Sequence, residues 1–223
     1  MKRLLELFCG TKSVGNVAKT MGYDEIISLD YDPRFEATHI DDIFLWDYKQ
    51  YPRGHFHTVH ASPDCVTWSI ASSGKYRTRQ HIYGHDNEHR EKANIGNNMI
   101  LKVIEILMYF EPNKWYIENP RGLLQHYPPL QEFIEDYGCR TLVYYGNYGH
   151  PSPKPTNIWS NTPLWENEKI PVMSEDTYIF RPNILNGKPK RYYKSYSYAK
   201  GKSSVYRSVI PAPLIKRLLL LEN

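Results

Sequence analysis

Short apolar runs that break off into polar or glycine-containing turns recur along this chain, and that punctuation restricts its fold more than any other feature. Residues 2–8 (KRLLELF) run into Cys9-Gly10-Thr11, and residues 25–29 (EIISL) stop at Asp30-Tyr31-Asp32-Pro33. A short run at 38–40 precedes Asp41-Asp42, and 57–61 (HTVHA) precedes Ser62-Pro63-Asp64-Cys65. Further strands are predicted at 115–117, 141–145 and 157–160. Helices are predicted over 13–21, ended by Gly22, and around Met99, Ile100, Val103, Ile104 and Leu107, closed by Pro112, with a last one over 213–221. Seven strands alternating with helices describe an α/β domain with a mostly parallel sheet. In such a sheet ligands bind beyond the carboxyl ends of the strands. Phe8-Cys9-Gly10, Asp30, Asp42, Pro63 to Cys65 and Glu118-Asn119-Pro120 all fall there.

With 223 residues the chain accommodates one catalytic domain and a small appendage. Residues 162–207, richer in Pro, Asn, Lys and Tyr and without clear periodicity, read as that appendage, an irregular basic insert. The net charge is +4, yet 188–207 (KPKRYYKSYSYAKGKSSVYR) contains no acid, which suits a phosphate-bearing partner. No apolar run approaches the ~20 residues of a membrane span, and the opening Met-Lys-Arg-Leu-Leu lacks the apolar core of a secretory signal. Three cysteines without paired spacing, Cys9, Cys65 and Cys139, suit free thiols in an intracellular, reducing compartment. The histidine groups 55/57/60 and 81/85/89 lack partners at metal-ligand spacing, so no metal is expected.

The turn Leu7 to Gly15 follows a strand, contains glycine and opens a helix, a form that presents backbone amides to a ligand but also serves as an ordinary tight turn. Asp30 at the next strand end could accept ribose hydroxyls, and Asp42 at the third could meet an adenine amino group. Together these favour a nucleoside-bearing cofactor. Cys65 lies on a polar turn rather than in an apolar run, and Glu118 ends a later strand. Carbon C5 of cytosine takes a methyl group only after a nucleophile adds at C6, and a carboxyl group at N3 assists that addition. Cys65 and Glu118 could fill these two roles; as isolated residues they could equally be a buried thiol and a surface acid.

These residues resemble the motif series of the DNA cytosine-5 methyltransferases, in family order over nearly the whole chain. LELFCG resembles the donor-loop motif, LDYDP the ribose-acid motif, and Asp41-Asp42-Ile43 the family's Gly-Asp-Ile. SPDCVTWS is similar to Pro-Pro-Cys-Gln-x-Phe-Ser, and IENPRG to Glu-Asn-Val. YGHPSPKPTNIWSN is similar to Tyr-Gly-x-Pro-Gln-x-Arg-x-Arg, and YRSVIPAPLIKRL to the closing Gly-Asn-Ala-Val-Pro-Pro. The resemblance implies a Rossmann-like class I methyltransferase sheet formed by 1–161 plus 208–223, with 162–207 as a reduced target-recognition region. It implies S-adenosylmethionine as methyl donor, held by Phe8, Cys9, Gly10, Asp30, Tyr31, Asp42, Ile43, Pro63 and Ser208. It implies Cys65 as nucleophile and Glu118 as its partner at N3. The chain departs from the family at Asp64, beside the nucleophile, at Lys154 and Thr156 in place of two arginines, and at Arg207-Ser208 in place of Gly-Asn.

A target base must leave its stack to reach a thiol. The basic, aromatic stretch 72–90 directly after Cys65 is expected to line that path, or else to be a plain exposed loop. The nucleic-acid contacts expected are Ser69, Lys75, Arg77, Arg79, Asn119, Arg121 and Lys154, with Lys190 and Arg191 in the insert. DNA is the expected partner, with RNA open on the same scaffold and no membrane or obligate protein partner. A catalytically silent nucleic-acid-binding protein is the rival of a different class.

Overall fold

The structure, a computed structural model, describes residues 1–72, 74–171, 178–182, 189–193 and 209–221, with backbone alone for residue 71 and for 178–182 and 189–193. Its centre is a seven-stranded sheet of β1 (Arg3–Leu7), β2 (Glu25–Asp30), β3 (His39–Ile40), β4 (Thr58–Ala61), β5 (Lys114–Pro120), β6 (Cys139–Tyr144) and β7 (Pro155–Ser160) in the order β3-β2-β1-β4-β5-β7-β6. The pairs from β3 to β5 are parallel, whereas β7 runs antiparallel to both β5 and β6. Strand order reverses between β1 and β4, and this switch point opens a crevice at their carboxyl ends.

Both faces of the sheet are covered, which is why its central strands are buried along nearly their whole length, their few polar residues included. Helices α1 (Ser13–Thr20) and α4 (Ala212–Leu220) bury Val14, Val17, Leu214 and Leu218 with Leu4, Tyr116 and Ile158 on one face. Helix α2 (Arg90–Phe110) and the core cluster around Leu130 and Phe133 of α3 (Pro128–Tyr137) meet Leu5, Val59 and Ile117 on the other. Helix α2 starts at Arg90, well before the apolar spacing that predicts it, because its first turns carry polar residues. Helix α3 has no counterpart in the sequence reading, although Pro128 and Pro129 mark its start by supplying preset φ angles.

Residues 161–171, directly after β7, are packed onto the domain. Leu164 is buried in the α1/α4 core. Glu168 lies along the β6 edge, its amide donating to Leu142 O at 2.9 Å and its carboxylate accepting from Tyr144 N at 2.9 Å. The same carboxylate takes the Tyr148 hydroxyl and faces Arg217 of α4 at 3.7 Å, so this sheet edge is covered. Within the stretch read as irregular, β8 (Tyr178–Pro182) and β9 (Pro189–Tyr193) form an antiparallel pair. A proline at one end of each, Pro182 and Pro189, obscures the short β-prone runs YIFRP and PKRYY.

One acid inside β1 shapes the crevice. Glu6 is 2% exposed, and its carboxylate accepts from Val14 N at 3.1 Å and Gly15 N at 2.8 Å. It thereby caps α1, whose N-cap residue Lys12 is left-handed and offers no side-chain acceptor. A Cβ on Gly15 would lie 2.8 Å from Glu6 Oε2, so only glycine admits this approach. Burial pushes the Glu6 pKa from 4.5 up to about 7, against the opposing pull of the two amides.

Between these values the unfolded chain has released the Glu6 proton and the folded chain retains it, so folding stability falls as pH rises from about 4.5 to 7. The loss from this group amounts to at most ~3 kcal/mol. Urea midpoints measured at pH 5 and pH 8 should therefore drop more in the wild type than in Glu6→Gln. An equal drop in both would remove Glu6 as the source.

Candidate active site

The donor side of the crevice is built on strained backbone. Phe8 (φ 55°), Gly10 (φ 47°) and Lys12 (φ 54°) are all left-handed, giving a tight turn from β1 into α1. Open space lies where a Gly10 Cβ would project, so a ligand can approach the main chain there. Asp30, only 8% exposed, receives Gly10 N on Oδ2 at 2.9 Å and Asp32 N on Oδ1 at 3.0 Å. Each oxygen keeps a further lone pair for a hydroxyl. Asp42 is exposed and turns its Oδ1 to Phe44 N at 3.0 Å. Tyr31 is exposed and Phe8 half-buried, while Ile43 and Pro63 are buried parts of the wall. Cys9 is also buried, and burial together with Glu6 and Asp30 pushes its thiol up to about 12. Ser208 lies outside the described residues.

The acceptor side is assembled from the ends of β4 and β5. Trp68 N and Ser69 N both donate to Cys65 O, at 3.1 and 2.9 Å, closing a turn around the thiol. Asn119, wholly buried, donates from Nδ2 to Pro63 O at 2.9 Å and ties this turn to the strand that carries Glu118. Trp68 O accepts Leu123 N at 2.8 Å, and a Gly122 Cβ would stand 2.3 Å from that oxygen. Glycine is required there. The Asp64 carboxylate bends away to accept Val66 N at 3.0 Å. Burial nevertheless pushes the Cys65 thiol up to about 11, with Asp64 and Glu118 adding to the rise and Lys154 opposing it.

Around Glu118 the site is densely polar. Glu118 is buried, and Tyr145, directly after β6, donates its hydroxyl to Oε1 at 2.7 Å. Lys154 places Nζ 4.3 Å from the centre of the Tyr145 ring. Burial lowers the Lys154 pKa, and Glu118 and Cys65 pull it back up. Thr156 is wholly buried beneath, its Oγ1 donating to Lys154 O at 3.1 Å. Thus the two positions where the resembling motif carries arginines hold one interior ammonium and one interior hydroxyl. Neither Tyr145 nor Glu6 figures among the residues expected from sequence. Tyr145 directly follows β6 and Glu6 interrupts an apolar strand, signals that were available.

Of the residues expected at nucleic acid, Arg77 and Asn119 lie in the interior of the fold. Arg77 is 0% exposed: its guanidinium donates to Ile82 O, Asn97 Oδ1, Thr67 Oγ1 and Ala93 O at 2.7 to 3.0 Å and lies 3.4 Å from the Trp68 ring centre. It fastens the stretch after Cys65 to α2, because a desolvated guanidinium needs fixed acceptors. Asn119 is a tether inside the site, and the part-buried Lys154 lies over the Tyr145 ring. Lys75, Arg79 and Arg121 are exposed, and Ser69 pairs with Gly122 in a β-bridge at the mouth. Lys190 and Arg191 sit on β9, their side chains outside the described residues. Among the described residues, no helix is long and apolar enough to cross a membrane.

No family model matches the chain. Over 165 residues it is 27% identical to a protein of Frog virus 3 (isolate Goorha) described as a probable DNA (cytosine-5)-methyltransferase, covering 71% of this chain and 70% of that protein. The resemblance to that family therefore stands on a relative as well as on motifs. Among solved structures, the Entamoeba histolytica methyltransferase EhMeth matches with a TM-score of 0.52 at 14% identity over 78% of this chain. A protein described as a DNA modification methyltransferase encoded within an E. coli prophage matches with a TM-score of 0.50 at 12% identity over 72%. The chain spans 58% and 46% of their respective lengths. With the seven-stranded sheet, these likenesses establish a Rossmann-like class I methyltransferase fold.

The electrostatics around Cys65 set its reactivity toward iodoacetamide. At pH 8 Asp64→Asn should speed alkylation of Cys65 by roughly 2- to 10-fold and Lys154→Met should slow it, as followed by peptide mass spectrometry. Unchanged rates in both variants would contradict the assigned influences. Arg77→Met should lower unfolding free energy by ~2–4 kcal/mol, read from a urea titration, because it strands Thr67 and Asn97.

Proposed function

We propose that this chain transfers a methyl group from S-adenosylmethionine to carbon C5 of a cytosine in DNA, with Cys65 as the nucleophile and Glu118 as the partner of N3. The observation that carries this reading is the Asn119 tether, which holds the Cys65 turn against the strand end bearing a buried carboxyl group. A thiol and a carboxyl group arranged in this way can grip opposite edges of one pyrimidine. The viral relative supports the choice of cytosine and of DNA.

The donor side fits a methylated sulfonium nucleoside. Asp30 and Asp42 supply acceptors for ribose hydroxyls and an amino group, Phe8 and Tyr31 supply aromatic faces, and the open main chain at Gly10 leaves room for the amino-acid part. The buried Ser62 Oγ, directly after β4, has no hydrogen-bond partner among the described residues. The donor supplies an electrophilic methyl group.

The chain's own residues do the rest. At neutral pH Cys65 rests as a thiol, since burial holds its proton, so addition to C6 requires that proton to leave as the base settles. Lys154 is the cation that favours the resulting anion. Glu118 draws electron density from the ring through N3, which makes C6 more electrophilic and the adduct's C5 nucleophilic. Loss of the C5 proton then expels the cysteine. Lys75, Arg79 and Arg121 are assigned to phosphates, and residues 162–207 to a reduced target-recognition region.

Incubation with donor and with DNA containing 5-fluorocytosine should give a denaturation-resistant adduct, because the fluorine cannot leave as the proton does. Cys65→Ala should abolish it. Glu118→Gln should slow its formation by roughly 10²- to 10⁴-fold while leaving DNA affinity nearly unchanged. Labelled methyl recovered on adenine N6 or cytosine N4 would sink the assigned chemistry, and preferential labelling of tRNA over duplex DNA would move the substrate to RNA.

A further inference from the structure

Glu118 is one of the few carboxylates that the fold buries, and its torsions alone cannot aim it. The terminal torsion of a glutamate is broad, with no strong preference among orientations. A carboxyl group intended for one edge of a flat ring therefore needs an external constraint. Tyr145 provides the hydrogen bond that this structure gives the Glu118 side chain: the hydroxyl donates to Oε1 at 2.7 Å. Burial and the neighbouring carboxylate raise the Tyr145 pKa well above its ordinary value of 10, so the phenol keeps its proton and remains a donor. With Oε1 engaged in this way, Oε2 is left to face a ligand.

Tyr145 also seats Lys154. The ammonium lies 4.3 Å from the ring centre, and the Tyr145 backbone N–H donates to Lys154 O at 3.4 Å. Lys154 has φ 35°, a conformation that a lysine adopts only under constraint. Thr156 Oγ1 on Lys154 O at 3.1 Å and the Thr156 side chain on the Tyr145 hydroxyl complete the arrangement.

We infer that Tyr145 is a positioning residue: its hydroxyl aims Glu118 at the base and its ring seats Lys154, so that one side chain sets the spacing of the two charged groups that act on Cys65. The inference rests on the cytosine reading proposed above. It assigns a task to a residue that touches neither the base nor the donor.

The test is a double-mutant cycle on the rate of adduct formation with 5-fluorocytosine DNA, using the full chain. Tyr145→Phe removes the hydroxyl and retains the ring beneath Lys154. It should slow trapping by roughly 10- to 100-fold, the range expected for a lost hydrogen bond to a charged group. DNA affinity and donor affinity should change less than about 2-fold, so the effect falls on kcat rather than KM. In a Glu118→Gln background the same change should alter the rate by less than about 2-fold, because the group that it aims is already disabled. Equal losses in both backgrounds, or a Tyr145→Phe protein as fast as wild type, would overturn the assignment while leaving the thiol chemistry intact. A wild-type protein that forms no adduct would overturn the reaction itself, and the assignment with it.

Discussion

Parallel pairing of β4 with β5 sets Ala61 beside Ile117, so the residues that follow on each chain segment start as neighbours. On one side the chain leaves the sheet in the Ser62 to Cys65 turn, and on the other β5 continues through Glu118, which pairs with Ile158 of β7. Asn119 converts proximity into a joint by donating to Pro63 O. Every later feature of the acceptor side leans on this contact. Trp68 packs into the gap left by Gly122, Arg77 stacks on Trp68, and the guanidinium then fastens the segment to α2. A single register therefore propagates outward through packing and hydrogen bonds into a shaped turn around one sulfur atom.

Such a site costs stability, and the cost falls on buried polar groups. Glu6, Glu118, Lys154 and Arg77 are all charged types that proteins seldom bury, and each has its partners supplied by the chain. Glu6 faces helix amides, Glu118 a phenol, Lys154 an aromatic ring, and Arg77 four oxygens. His60, fully buried in β4, is held neutral instead, its pKa lowered by burial to about 4. Desolvation acts on all of these groups, and hydrogen bonds or ring contacts offset it only in part: Glu6 keeps its proton up to about pH 7 despite two helix amides.

Much of the fold could be read directly. Leu4-Leu5-Glu6-Leu7, Ile26 to Leu29 and Val59 to Ala61 are largely apolar runs of strand length, and the candidate site residues follow their carboxyl ends, as the doubly wound arrangement leads one to expect. That Cys65 follows one strand and Glu118 lies near the end of another was legible for the same reason. The short strands β8 and β9 and the ten-residue helix α3 were not, because their patterns are brief and bounded by proline. Arg77 misled because charge and a polar neighbourhood describe an exposed loop and a buried clamp equally well until the acceptors around it are known.

The sequence by itself determined which residue types stand at which strand ends, and with them the class of chemistry, since strand periodicity and turn residues are local properties of the chain. Only the tertiary structure decided that Tyr145 meets Glu118, that Lys154 lies over the Tyr145 ring, and that Arg77 and Asn119 are buried among fixed partners. Those contacts join residues 20 to 56 positions apart or sit on unusual backbone. Partners so distant are chosen by packing and desolvation, which no local pattern encodes.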